Sequence, residues 1–173
     1  LTRTRVVVVV TVSYLGPPGT FTDAALQQFV VDPHVGALLT GARPNPVETM
    51  GEALEKVRSG EAGYACVPFE NSVDGTVNPT SDALAVGDRL QIFAETEIDV
   101  VFSILVRPGT AAEDVRVLRT HPVAAAQVRG WVAEHLPNAR IETTSSTAAG
   151  AEEVAAGIAD ATAAPARAGE ING

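Results

Sequence analysis

The chain has 173 residues, with 12 Lys and Arg against 21 Asp and Glu, a net charge of −9, and it is 46% hydrophobic and 19% charged. That length fits about one domain with a sizeable core, and the composition is globular rather than that of a disordered acidic tail. The acidic balance argues against a nucleic-acid partner, which demands clustered Lys and Arg; the lone Cys66 excludes an internal disulfide and a Cys-rich zinc site.

Val6–Val10 follows Arg3 and Arg5 in the manner of a signal sequence, but the run is too short and polar Thr11 and Ser13 come next. Val6–Leu15 instead reads as a buried, β-branched strand ended by Gly16-Pro17-Pro18-Gly19. Ala25, Leu26, Phe29 and Val30 then recur at helical spacing over Thr22–Val31, with Thr20 or Thr22 as cap, Asp23 in the first turn and Asp32-Pro33 as the stop. Thr49 and Glu52 fit a capping box opening a helix with Leu54 and Val57 on one face, ending near Ser59-Gly60. Tyr64–Val67 reads as a short strand, ended by Pro68 and followed by the polar stretch Glu70–Thr76 and a short helix over Pro79–Ala85.

Leu90–Val106 is the longest strand-like region, either two strands or one long strand running between two parts of the fold. Pro108-Gly109 ends it, and Thr110 with Glu113 suggests another capping box. Val115–Leu118 reads as a strand, and His121-Pro122 opens a helix to about Leu136 with Val128, Trp131 and Val132 facing inward. Arg140–Thr143 is a strand, Ser145 or Ser146 caps a helix to about Ala156 that Gly157 ends, and Asp160–Ala164 is a last weak strand before Pro165. The strand–helix alternation predicts an α/β fold with mostly parallel sheets. Its interruption at 90–106 predicts two lobes, about 1–85 and 100–160, with a cleft between them where a ligand sits. No stretch of about 18 apolar residues is present, so no bilayer-spanning segment is expected and the cytoplasm is the expected location.

Several chemistries lack their signature: there is no nucleophile elbow, no Walker loop and no dinucleotide fingerprint. His34, His121 and His135 lack metal-ligand spacing, and Cys66 falls on a buried strand, where it reads as an inert core thiol. Three polar clusters follow strands. Gly16–Thr22 is a Gly/Pro turn opening a helix, whose free amides and positive end suit a carboxylate or phosphate, although an ordinary Thr-capped turn looks the same. Pro68–Thr76 gathers Glu70, Asn71 and Ser72, a set able to orient a polar substrate and move a proton, although a solvated turn has the same composition. Thr120-His121-Pro122 precedes Gln127; if the helix begins at His121, Thr120 and Gln127 lie about two turns apart on nearly one face. His121 itself reads as a cap. Ser145-Ser146-Thr147 is a weaker fourth cluster that fits an N-cap.

Tyr14–Thr22, Val67–Ser72 and Thr120-His121-Pro122 with Gln127 resemble the prephenate dehydratase family in order, spacing and strand-end placement. The resemblance runs from about Val8 to Gly173. It implies a catalytic domain like a type 2 periplasmic-binding protein, with two α/β lobes. It also implies conversion of prephenate to phenylpyruvate with loss of carbon dioxide and water, on the route to phenylalanine, with no metal or organic cofactor. By the same resemblance Glu70 and Asn71 orient the substrate for catalysis, and Thr20, Ser72, Thr120 and Gln127 bind it. Prephenate carries two carboxylates while this chain is acidic, so binding is expected to rely on local amides at helix starts. The family implies a homodimer or homotetramer and a phenylalanine-sensing ACT domain. The sequence departs from the family at Pro18, where members commonly carry Glu. The family's Thr-Arg-Phe motif, whose Thr is its proposed proton donor, is expected beyond Gly173. The 173 residues alone are therefore expected to form a weak or inactive dehydratase with exposed apolar surface. The alternatives are a non-enzymatic small-acid-binding module on the same scaffold and a prephenate decarboxylase that does not aromatise its product.

Overall fold

The computed structural model describes residues 9–72 and 75–173; Val6–Val8 of the expected first strand, and Val73 and Asp74 of the second polar cluster, lie outside them. The elements run β1 (Thr11–Leu15), α1 (Phe21–Val31), α2 (Gly36–Leu39), β2 (Arg43–Val47), α3 (Met50–Arg58), β3 (Tyr64–Cys66), β4 (Glu70–Asn71), β5 (Gly75–Thr76) and α4 (Asn78–Ala85). Then come β6 (Ser103–Val106), a 3-10 turn at Ala112–Asp114, β7 (Val117–Thr120), α5 (Pro122–His135), β8 (Arg140–Thr143), α6 (Thr147–Ala155), β9 (Ala161–Ala164) and α7 (Ala166–Asn172). The fold is α/β with mostly parallel sheets, as the strand–helix alternation requires. Contacts divide the chain into two units. One is the chain up to Gly16 with Ala25–Glu97, and the other is Pro17–Ala24 with Ile98–Gly173. The residues after Ala164 group with the second unit.

In the first unit β1 lies between β2 and β3, all parallel. Val12 and Tyr14 point to one face, into a core with Leu26, Leu39 and Cys66, so the thiol is a core side chain. Ser13 points to the other face and is equally buried. The Thr49 cap forms: its hydroxyl accepts from the Glu52 amide at 3.1 Å, while the Glu52 carboxylate accepts from the amide of Glu48 at 3.2 Å. Strand β2 and helix α2 were not expected. The prolines at 44 and 46 argue against a strand, but β2 is an edge strand, where a missing N–H is tolerated. The Asp32 carboxylate accepts from the amides of His34 and Val35, both at 2.8 Å, and so turns the chain into α2.

The expected long strand at 90–106 shortens to β6, and residues 90–102 have no ladder. Their alternation is strand-like, but a strand needs a partner to satisfy its backbone, and none of the described residues pairs there. Residues 90–97 are instead tied down by side chains such as Phe93, whose ring lies 5.1 Å from that of Tyr64.

The second unit holds a sheet of order β6-β9-β7-β8, with β6 antiparallel to β9 and the other pairings parallel. Strand β9 is stronger than its short alanine-rich sequence predicts. It is central and buried along its whole length, because alanines on both faces let helices close on it. Val128 and Val132 of α5 enter the core with Leu118 and Val115. Trp131, expected to face inward, stays 45% exposed and stacks on His135 at 4.3 Å. The Thr110–Glu113 box does not form; Ala111 precedes the 3-10 turn without a side-chain cap. Gly150 of α6 is seated so closely that an added Cβ would meet the Thr162 hydroxyl and lie 2.6 Å from the Arg119 carbonyl. Asp160 joins loops at one sheet end: its carboxylate accepts from the amides of Arg116 (2.9 Å) and Val117 (3.0 Å). Arg107 beside it donates to the carbonyls of Val154 and Ala159, both at 2.7 Å.

Two predictions follow from these contacts. Gly150→Ala overpacks the α6–sheet contact and should cost about 1–3 kcal/mol, read as a lower urea midpoint with an unchanged slope. The amides of Arg116 and Val117, then the Arg107 charge, hold the Asp160 carboxyl below its ordinary range. A lowered folded-state value means the stabilisation is complete above the unfolded value of about 4 and is lost as pH falls through the folded one. Urea unfolding from about pH 5 downward should therefore show a pH slope that is shallower in Asp160→Asn. Parallel curves would dismiss Asp160 as a source of the acid sensitivity.

Candidate active site

Each polar cluster follows the carboxyl end of a strand, the usual place for ligand chemistry in parallel sheets. Pro17–Thr22 follows β1, Glu70–Ser72 follows β3, His121 follows β7, and Thr144–Thr147 follows β8. β1 and β3 are parallel, as are β7 and β8, so within each pair the polar segments leave the same sheet end.

The turn after β1 is organised by its own cap. Gly19 has φ +85°, a conformation suited to glycine. The Thr20 hydroxyl accepts from the Asp23 amide at 3.3 Å, which settles the cap on Thr20 rather than Thr22. Asp23 reaches back and accepts from the Gly19 amide at 2.9 Å. Two amides that the sequence offers to a ligand, those of Gly19 and Asp23, are thus used inside the turn. The positive end of an 11-residue helix remains. Asp23 also receives the Nε–H of Arg167 at 2.8 Å. No sequence signal announces this pair, because its members are 144 residues apart and Arg167 stands in no motif.

Glu70 and Asn71 form β4, paired antiparallel with β5, and Ser72 sits in the turn of that hairpin. All three are exposed. The hairpin is anchored at its base. The Val77 amide donates to the Phe69 carbonyl at 2.8 Å, and the fully buried Thr80 hydroxyl of α4 donates to the Pro68 carbonyl at 2.7 Å. Arg58 holds the other end of α4 through the carbonyls of Ala83 (2.7 Å) and Asp88 (3.0 Å). A carboxylate, an amide and a hydroxyl thus follow one another on a segment anchored at its base, a set that can accept and donate hydrogen bonds to a polar ligand.

The third cluster is arranged differently from the sequence reading. Thr120 is the last residue of β7 and not part of the helix, so it shares no helical face with Gln127. It is 0% exposed, and its hydroxyl donates to the Ala163 carbonyl at 2.6 Å. Gln127 lies on the exposed side of α5, beside buried Val128. His121 is the N-cap, accepting from the Val123 amide through Nδ1 at 3.3 Å. Ser146, not Ser145, caps α6, accepting from the Ala149 amide at 2.9 Å. Among the described residues no group of three or more His, Cys, Asp or Glu could hold a metal, and no helix is long and apolar enough to cross a membrane. A cavity of about 380 Å³ in the second unit is lined by Phe102, Ile104, Val128 and Trp131 and holds none of these candidate side chains.

Among solved structures the chain is similar to a prephenate dehydratase from Arthrobacter aurescens in complex with L-Phe, at 42% identity and a TM-score of 0.78, over 90% of this chain and 49% of that one. It is also similar to GqqA, a novel type of quorum quenching acylase, at 30% identity and a TM-score of 0.70, over 94% of this chain and 56% of that one. Prephenate dehydratases of Mycobacterium ulcerans and Mycobacterium tuberculosis are each 53% identical, over 151 and 157 residues, or 87% and 88% of this chain and 48% of each relative. The chain thus spans about half the length of the curated relatives it matches. The family model for prephenate dehydratase matches residues 12–173, nearly the whole of the chain, and the chain belongs to that family.

Proposed function

We propose that the protein converts prephenate to phenylpyruvate, as a lyase of phenylalanine biosynthesis. The observation that carries this reading is the family match over residues 12–173, whose acid, amide and hydroxyl groups follow the carboxyl ends of strands. The reaction balances as one prephenate dianion and one proton giving phenylpyruvate, carbon dioxide and water. The ring carboxylate departs as carbon dioxide and leaves its electron pair in the ring, and the ring hydroxyl departs with the added proton. Aromatisation drives the step, so the protein has to hold the substrate, place a proton donor at the hydroxyl and support the shifting charge.

Glu70 and Asn71 orient the substrate in this proposal, from a hairpin that Thr80 fixes at its base. Ser72, Thr20 and Gln127 supply neutral hydrogen bonds to its polar groups, in keeping with a chain whose net charge of −9 does not attract a dianion. Thr120 contributes by position, its buried hydroxyl tying the end of β7 to β9. The cytoplasm and a homodimeric or homotetrameric assembly belong to the same proposal, on composition and on resemblance.

The test is titration calorimetry of the chain with prephenate, together with an ultraviolet assay for phenylpyruvate. Binding is expected, and Glu70→Gln should lower any turnover about a hundredfold or more while the melting temperature stays within a few degrees. Absence of both binding and product would overturn the assignment. Tight binding with no product from a full-length protein would instead favour a binding module, and a product lacking an aromatic ring a decarboxylase.

A further inference from the structure

We infer that Arg167 is a positioning residue: through Asp23 it latches the turn Pro17–Thr22 in the shape that receives an anionic ligand. The inference rests on the proposed function for the ligand, and on the geometry alone for the latch.

Asp23 stands in the first turn of α1, where a carboxylate complements the positive helix end. Its side chain is nevertheless only 4% exposed, and a charge taken that far from water is costly unless it is paired and hydrogen-bonded. Its Oδ2 meets both needs at one atom, accepting from the Gly19 amide at 2.9 Å and from Arg167 Nε at 2.8 Å. Arg167 itself lies in the first turn of α7, the wrong end of a helix for a cation. Its place there is explained by Asp23 and not by its own helix. The Arg167 side chain is 39% exposed, so part of it meets solvent while its Nε–H meets the buried carboxylate.

The contact extends beyond the ion pair. An added Cβ on Gly19 would lie 3.2 Å from the Ala168 Cα, so the turn rests on the backbone of α7 next to Arg167. Ala168 is fully buried, with Ala151, Ala164 and Leu105 around it. Phe21, the first residue of α1, meets Phe102 edge to face at 5.4 Å. The turn is therefore in contact with α7 and with Phe102, and Asp23–Arg167 is a charged tie between the turn and α7. Removing the guanidinium takes a charged donor from a buried carboxylate. Asp23 then either takes up a proton or swings to water. Both weaken its grip on the Gly19 amide and re-aim the helix start that follows.

The experiment compares wild type with Arg167→Ala, Arg167→Lys and Asp23→Asn by three readouts: prephenate affinity by calorimetry, Gly19 amide hydrogen exchange by NMR, and melting temperature. Arg167→Ala should weaken prephenate binding about tenfold and speed Gly19 exchange about tenfold. Arg167→Lys, which keeps the charge, should recover affinity to within about threefold. In any preparation that turns over, the loss should fall on KM with kcat within about twofold. The double variant Asp23→Asn with Arg167→Ala should be no worse than the more affected single variant, as expected for two groups acting as one unit. Wild-type affinity and wild-type Gly19 exchange in Arg167→Ala would overturn the latch. So would an equal loss in Arg167→Lys and Arg167→Ala, which would mark the site as packing alone. If wild type binds no prephenate, the substrate assignment fails by itself, and Gly19 exchange still decides the latch.

Discussion

A parallel strand covered on both faces has nowhere to show polar side chains except at its ends, and the chemistry of this protein is arranged around that constraint. β1 carries buried Val12, Ser13 and Tyr14 in succession, and β9 is buried from Ala161 to Ala164. Neither strand can present a carboxylate or amide to a ligand along its length. The Gly/Pro turn, the Glu70 hairpin and the His121 and Ser146 caps accordingly all lie beyond strand carboxyl ends. The same constraint accounts for Thr120: one residue before the helix cap it is still inside the sheet, and its hydroxyl donates to the Ala163 carbonyl.

An acidic chain with few cations places its internal carboxylates carefully. Asp23 and Asp160 share a design: Asp23 accepts the Gly19 amide, Asp160 accepts those of Arg116 and Val117, and each lies beside an arginine, Arg167 for the first and Arg107 for the second. Each joins segments far apart in sequence, 144 residues for Asp23–Arg167 and 44 for Asp160–Arg116. A carboxylate serves this purpose because it accepts several donors at once, with stronger bonds when the donor is charged. The turn that Asp23 shapes is one of the motifs that carry the family resemblance.

Much of the helical structure was legible because its signals are local. Thr49, Ser146 and His121 act as caps where the residues before each helix announce them, and Gly157 follows α6 with φ +75°. Strands were less legible, since a strand is defined by its neighbour. Residues 90–102 alternate like a strand and have no partner, whereas Arg43–Val47 contains two prolines and still pairs with β1 along its length. Thr120 was assigned to a helical face because periodicity cannot say on which side of a strand–helix junction a residue falls.

The amino-acid sequence alone determined the α/β alternation, the three polar motifs with their order after strands, and through them the family. These depend on spacing and on residue types whose effect is felt within a few positions. Tertiary structure decided which hydroxyl is buried and which side chains stay exposed, and it brought Arg167 to Asp23. Such facts arise only when segments distant in the chain meet, because burial and ion pairing belong to the neighbours a residue acquires and not to the residue itself.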